Sequence, residues 1–289
     1  MSVFLNKNTK VLVQGITGTQ ASFHTQKMVA YGTKIVAGVS PNRGGTKHLG
    51  VDVYNSTIEA VKATKATASV MFVPARFVKD AIKEAVEAEL ETVVVIASGV
   101  PIKDMMEIKA MLKGSKTLLI GPNTPGIITP DEACLGIFPE NIHKKGNIGV
   151  VSRSSTLTYE AVIETTRAGM GQSTVIGLGD DMIVGTDFVE IIKKFHEDNN
   201  TKAILMIGRQ GGMYEETGAE YYAGLKYKKP IIGYIAGSTI STQDKMGYAG
   251  DIITRGKITT ESKKETLQKA GIMVADSINR IHQLLENLK

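Results

Sequence analysis

The chain has 289 residues, 34 Lys and Arg against 29 Asp and Glu, and a formal charge of +5. With 42% hydrophobic and 22% charged residues it has a globular composition rather than a disordered or fibrous one, and its length exceeds the roughly 100 to 200 residues of a single domain, so two are expected. The cations are scattered without an aromatic-rich basic stripe, which argues against a nucleic-acid partner, and the lone cysteine, Cys134, can neither close an internal disulfide nor complete a metal site.

Residues Met1 to Lys10 hold only a short apolar patch, interrupted by Asn6 and Lys7, unlike a signal peptide. No apolar run approaches the roughly 18 residues of a membrane helix. A soluble protein with no membrane and no bound metal is expected, cytoplasmic, or in an organelle matrix if a presequence has been removed.

In the first half, short β-branched runs read as strands: Val11 to Gln14, Lys34 to Val39, Ser69 to Val73, Thr92 to Ala97 and Thr117 to Ile120. Amphipathic segments separate them. Continuous apolar strands alternating with helices indicate a parallel sheet covered on both faces. A polar stretch with Gly and Pro, from Gly121 to about Gly146, lacks periodicity, and the domain boundary is placed within it. Alternation then resumes with strands at Ile148 to Ser152, Thr174 to Leu178, Ala203 to Ile207, Ile231 to Ala236 and near Ile272, and with helices beginning near Thr156, Asp187, Glu215, Ser262 and Asp276. The last helix carries an apolar stripe of Ile278, Ile281, Leu284 and Leu285, read as core. The fold class expected is therefore α/β throughout: a Rossmann-like domain over 1–125 and a flavodoxin-like doubly wound domain over 126–289.

The first strand runs into Gly15-Ile16-Thr17-Gly18-Thr19-Gln20, a strand-to-helix turn whose backbone N–H groups and helix dipole suit a phosphate. A third glycine is missing, and no acidic residue ends the second strand to hold a ribose, so a dinucleotide dehydrogenase is disfavoured. That strand ends instead in Ser40-Pro41-Asn42-Arg43-Gly44-Gly45. A cation at this point favours a nucleotide phosphorylated on its ribose, as coenzyme A is; a basic surface turn is the alternative.

Four separated pieces, Lys7-Asn8-Thr9-Lys10-Val11, Gly121-Pro122-Asn123-Thr124-Pro125-Gly126, Ser152 to Glu160 (SRSSTLTYE) and Gly233-Tyr234-Ile235-Ala236-Gly237, stand in an order and spacing that resembles the α subunit of succinyl-CoA synthetase over essentially the whole chain. The resemblance implies that Thr17, Gly18, Thr19 and Gln20 contact the phosphates of coenzyme A, with Arg43 where the family usually has lysine. It implies that Ile96, Ala97 and Ser98 approach the pantetheine arm, that Asn123 and Tyr159 serve the acyl substrate, and that Ser154, Ser155 and Thr156 open a helix facing a phosphate. It further implies a small-molecule acid substrate, a place in the tricarboxylic acid cycle and a β-type partner, in a heterodimer or heterotetramer, which alone would bring the nucleoside triphosphate and Mg.

The resemblance breaks at the reaction centre. The family carries its phosphoryl group on the histidine of a Gly-His-Ala-Gly motif, and this chain reads Gly247-Tyr248-Ala249-Gly250. A phenol with a pKa near 10 is a poor carrier at neutral pH. Arg209, in Gly208-Arg209-Gln210-Gly211-Gly212, stands where the family has the glutamate that supports the histidine, and an Arg has no acceptor with which to orient an imidazole N–H. Gly179-Asp180-Asp181-Met182 replaces Gly-Gly-Asp-Pro, and Ser155 replaces a glycine. Two functions follow from these observations: an acid–thiol ligase subunit whose reaction persists in altered form, or a non-catalytic coenzyme A-binding homologue with a regulatory or structural role.

Overall fold

The computed structural model describes residues 2, 4–237 and 259–288. They form two compact units, one of residues 4–140 with 179–186 and the other of the remainder.

The first unit is wound from β1 (Lys10–Gln14), α1 (Thr19–Tyr31), β2 (Lys34–Val39), β3 (Lys47–His48), β4 (Val51–Tyr54), α2 (Thr57–Thr64), β5 (Ala68–Met71), α3 (Val78–Glu87), β6 (Thr92–Val95), α4 (Ile102–Leu112), β7 (Leu118–Ile120), β8 (Gly126–Thr129) and β9 (Ala133–Gly136). The first seven strands form a sheet in the order β3-β4-β2-β1-β5-β6-β7, parallel except for the β3–β4 pair. Its central strands read Val11-Leu12-Val13 and Val93-Val94-Val95, every one fully buried, because helices cover both faces. Each such side chain contributes about 1.5–3 kcal/mol of burial. α3 shows the matching logic: Val78, Ile82 and Ala85 recur at helical spacing, lie buried, and pack in one cluster with Val93, Val95 and Met105.

The second unit runs β10 (Lys145–Ser152), α5 (Ser155–Arg167), β11 (Gln172–Gly177), α6 (Phe188–Glu197), β12 (Ala203–Gly208), α7 (Tyr214–Ala223), β13 (Ile231–Ile235), α8 (Thr260–Lys269), β14 (Met273–Val274) and α9 (Ile281–Glu286). Its strands lie in the order β14-β13-β12-β10-β11 and pair in parallel. Phe188, Ile191, Ile192 and Phe195 give α6 a fully buried stripe, and the carboxylate of Asp187 caps that helix by accepting from the Glu190 N–H.

The architecture is the expected one, with local differences. The strands expected over Ser69 to Val73 and Thr92 to Ala97 end two residues early, as β5 at Met71 and β6 at Val95, because the chain turns away at Phe72 and Ile96 to form loops. The stretch 121–146 contains an antiparallel hairpin, β8 with β9, closed by a turn in which the Glu132 N–H donates to the Thr129 carbonyl at 3.0 Å. The C-terminal stripe enters as a 3-10 turn at Ile278–Arg280 before α9, and Ile281 and Leu285 are its buried members. Among the described residues no helix is long and apolar enough to cross a membrane.

Candidate functional site

In the first unit the chain leaves β1 for β2 on one side and later returns to β5 on the other. Such a reversal opens a crevice at the carboxyl ends of the strands. The turn that fills it begins at Gly15, whose φ is +77° and whose missing Cβ would lie 2.7 Å from the Phe72 carbonyl oxygen. Only glycine fits there. The Gly15 N–H donates to the Val39 carbonyl at 2.8 Å, so the turn is tied to the end of β2. α1 then starts from Gly18 with no side chain capping it, leaving its first N–H groups for an external acceptor. Thr17, Gly18, Thr19 and Gln20 are all exposed.

The loop after β2 is held beside this turn. Thr17 Oγ1 and Ser40 Oγ are 3.0 Å apart, the Arg43 N–H donates to the Ser40 carbonyl at 3.1 Å, and Thr46 Oγ1 donates to the Arg43 carbonyl at 2.7 Å. The backbone of Arg43 is thereby fixed while its side chain stays exposed. Sequence reading missed His48. Its Nε2 lies 2.7 Å from Ser22 Oγ, and that hydroxyl gives its own proton to the Ile16 carbonyl at 3.0 Å, so Nε2 is the donor. The β3–β4 ribbon is thus tied to the first turn of α1, a contact that needs the fold to be seen.

A third set of loops follows β6 and β7. The Ile96 N–H donates to the Met71 carbonyl at 3.2 Å, and the Asn123 N–H to the Ala97 carbonyl at 2.8 Å. Ile96, Ala97 and Ser98 are therefore brought together with Asn123, Ser98 being exposed. The segment 179–186 closes on the same place. Asp181 Oδ2 accepts from the N–H groups of Gly99 at 3.0 Å and Val100 at 3.3 Å, and the Asp180 N–H donates to the Asn123 carbonyl at 3.0 Å.

The second unit repeats the reversal, with β11 on one side of β10 and β12 on the other. The N-termini of α5 and α7 follow these adjacent strands. Ser154 caps α5 through Oγ, which accepts from the Leu157 N–H at 3.4 Å, and Ser155, Thr156 and Tyr159 belong to the first turns of that helix. The loop before α7 contains Gly211 and Gly212, with φ of +77° and +64°.

Between the two helix starts lies a buried ionic cluster that periodicity did not reveal. Lys263 Nζ donates to Glu215 Oε2 at 2.6 Å, Glu216 Oε2 at 2.7 Å and the Gly212 carbonyl at 2.8 Å. Arg153 Nη1 reaches Glu215 Oε1 at 3.4 Å and the Gly211 carbonyl at 3.3 Å, and its guanidinium lies 4.6 Å from the centre of the Tyr214 ring. Arg209 is 8% exposed, and its backbone N–H donates to Glu215 Oε1 at 3.1 Å. Two cationic side chains, Lys263 and Arg153, thus stand with two carboxylates beside two helix N-termini, where the dipoles favour an anion. Position 248 lies outside the described residues, so its tyrosine is known from the sequence alone. Among the described residues no group of His, Cys, Asp and Glu has the arrangement of a metal site.

Comparison with known proteins supplies a second line. Residues 6–99 match the family model of the CoA binding domain and residues 151–273 that of the CoA-ligase. The chain is 50% identical over 285 residues, 99% of its length and 94% of the relative's, to succinate–CoA ligase [ADP-forming] subunit alpha of Staphylococcus aureus strain N315. It is 50% identical over 281 residues, 97% of its own length and 93% of the relative's, to the same subunit of Staphylococcus epidermidis strain ATCC 12228. Among solved structures, ATP citrate lyase from Methanothrix soehngenii in complex with citrate and coenzyme A shares the fold with a TM-score of 0.88 at 24% identity, over 99% of this chain. This chain spans 50% of the length of that one. A Ca. Korarchaeum cryptofilum acetyl-coenzyme A synthetase in complex with phosphate and ADP gives 0.78 at 20% identity, covering 95% of this chain and 59% of the other.

Proposed function

Since the chain belongs to the succinate–CoA ligase α-subunit family, we propose that it is the α subunit of an acid–thiol ligase that joins succinate to coenzyme A while a nucleoside triphosphate is cleaved to diphosphate and phosphate. Half identity over nearly the full length carries this reading, and favours it over a non-catalytic homologue. The coenzyme-binding part is residues 1–125 and the ligase part 126–289, and each family model falls inside one of them. Packing follows a different line, since residues to Glu140 cluster with the first unit.

In the first unit, the uncapped start of α1 at Thr17, Gly18, Thr19 and Gln20 would receive the coenzyme's diphosphate, and Arg43 its ribose phosphate. Ile96, Ala97 and Ser98 would line the thiol arm. When bound, coenzyme A supplies the nucleophilic sulfur. The chain's own part is to hold the arm along loops pinned by the Ile96–Met71 and Asn123–Ala97 backbone hydrogen bonds. Asn123 and Tyr159 would serve the acid. In the second unit, Ser154, Ser155 and Thr156 would hold a phosphate against the α5 dipole, with Arg153 and Arg209 adding positive charge nearby. Nucleotide and Mg would come from a β-type subunit, because neither family model on this chain is a nucleotide-binding module.

The test is thioester formation by the chain co-purified with the β-type subunit of its own genome. Succinyl-CoA should appear only with succinate, coenzyme A and nucleoside triphosphate all present, and more slowly than with a histidine-bearing relative. A complex that binds coenzyme A but forms no thioester would overturn the ligase reading in favour of the non-catalytic one.

A further inference from the structure

The segment 179–186 lies in sequence between β11 and α6 of the second unit, yet it packs with the first. Its attachments converge on the loops after β6 and β7. The Gly185 N–H donates to the Gly121 carbonyl at 2.8 Å, Lys109 Nζ donates to the Gly185 carbonyl at 2.7 Å, and a Cβ on Gly179 would lie 2.1 Å from the Pro122 carbonyl oxygen. One residue of the segment reaches further than the backbone. Asp181 sends its carboxylate to the loop of Ile96 to Val100, where Oδ2 accepts from both Gly99 and Val100.

Those two N–H groups precede α4, whose N-cap is Pro101, and no side chain of α4's own cap serves the helix. Asp181, 82 positions away in sequence, ties down the two residues that lead into that helix. The bonds of a carboxylate to N–H groups are stronger than neutral ones. The loop it holds is glycine-bearing, with Gly99 at a φ of +74° and open space where its Cβ would be, so no side chain at that position packs to fix it. The peptide of Asn123 completes the link: its N–H donates to Ala97 and its carbonyl accepts from Asp180. Ala97, Asn123 and Asp180–Asp181 form one continuous run of hydrogen bonds.

We propose that Asp181 is a positioning residue for the thiol arm of coenzyme A: by holding the amides of Gly99 and Val100 it sets the loop of Ile96, Ala97 and Ser98 relative to Asn123. This rests on the reading of that loop as the one lining the arm. Asp181 touches no reacting atom; it acts through the loop. Its carboxylate, half-buried, is therefore a structural requirement of the coenzyme site.

The experiment uses the full chain and two probes, coenzyme A and adenosine 3′,5′-bisphosphate, which lacks the pantetheine arm. Asp181→Ala should weaken coenzyme A by roughly tenfold, the scale of one or two such bonds, and leave the truncated nucleotide unchanged, because that end of the ligand sits on α1 and Arg43. Asp181→Asn keeps one acceptor oxygen and should recover part of the loss. Hydrogen exchange at Gly99 and Val100 should speed up in the alanine variant and slow again in the asparagine one. Equal weakening of both probes, or unchanged coenzyme A affinity despite faster exchange, overturns the proposal. If the unmodified chain binds both probes equally, the assignment of the arm to Ile96–Ser98 fails instead, and slow exchange at the two amides would still show that Asp181 holds them.

Discussion

The backbone N–H of Lys229 donates to Nε2 of His196 at 3.1 Å, while Nδ1 of the same ring lies 2.8 Å from the Ile192 carbonyl. One ring nitrogen must accept and the other donate, so the imidazole is neutral with its proton on Nδ1. Lys229 Nζ, in turn, donates to the carbonyls of Phe195 and Asp198 at 2.7 and 2.6 Å, closing the end of α6.

The first prediction follows from that tautomer. Burial lowers the pKa of His196, with Lys229 opposing its charge as well, and burial also lowers that of His24. Each ring therefore binds its proton more weakly folded than unfolded. Above the unfolded pKa of about 6.5 both states are neutral and stability is complete; as pH falls through 6.5 toward the lower folded values the unfolded chain takes up protons first, and stability drops. Unfolding midpoints should decline from pH 7 to 5, and His196→Gln should flatten part of that decline. A midpoint that rises on acidification over this range contradicts the account.

The cluster at Lys263 yields the second. Lys263→Met would leave Glu215 and Glu216 buried without their shared cation, and breaking a buried pair in this way costs about 3–5 kcal/mol. Urea unfolding should show it. Adding Glu216→Gln should restore part of the loss, whereas a cost under about 1 kcal/mol, the range of surface pairs, would mean that the cluster is not closed to water.

Arg43 supports a third, on ligand choice. Arg43→Ala should weaken coenzyme A by roughly tenfold while changing little for dephospho-coenzyme A, which lacks the ribose 3′-phosphate. Calorimetry on the full chain measures both. Equal losses for the two ligands would move Arg43 away from that phosphate.

The fourth concerns the phosphoryl group. With its β-type subunit and radiolabelled nucleotide the chain should carry no acid-labile, base-stable phosphate, because position 248 offers a phenol rather than an imidazole. Tyr248→His should restore some label, and Tyr248→His with Arg209→Glu should restore more, since a carboxylate can orient the ring as a guanidinium cannot. Acid-labile label on the unmodified chain would point to another histidine as carrier.

How much of this was readable beforehand depended on the range of the interaction. Val11 to Gln14 and Ala203 to Ile207 announce themselves because a strand buried on both faces must be apolar throughout. Gly15 and Gly18 announce the turn because its backbone geometry admits little else. β8 and β9 escaped notice, being four residues each and bounded by Gly126 and Gly136, whose lack of a side chain erases the alternation. Lys263 sits in Ser262-Lys263-Lys264-Glu265 and reads as a solvated helix face; its complete burial depends on Glu215 and Glu216, some 48 positions back. Asp181 was visible as an acidic residue, but the N–H groups that donate to it, those of Gly99 and Val100, lie 82 and 81 positions away, beyond any local pattern.

The placement of residues 179–186 also governs the order in which the chain can mature. A nascent chain released as far as Glu140 contains all seven strands of the first sheet, yet the N–H groups of Gly99 and Val100 and the carbonyls of Gly121 and Asn123 still await partners that have not been synthesised. Domains generally fold in order of synthesis. Here the first unit cannot finish until Thr186 has emerged, after β10, α5 and β11 of the second have already been made. A fragment ending at the apparent domain boundary would therefore be a poor substitute for the native coenzyme site, and a ribosome stalled between Glu140 and Gly179 would display that site half-built.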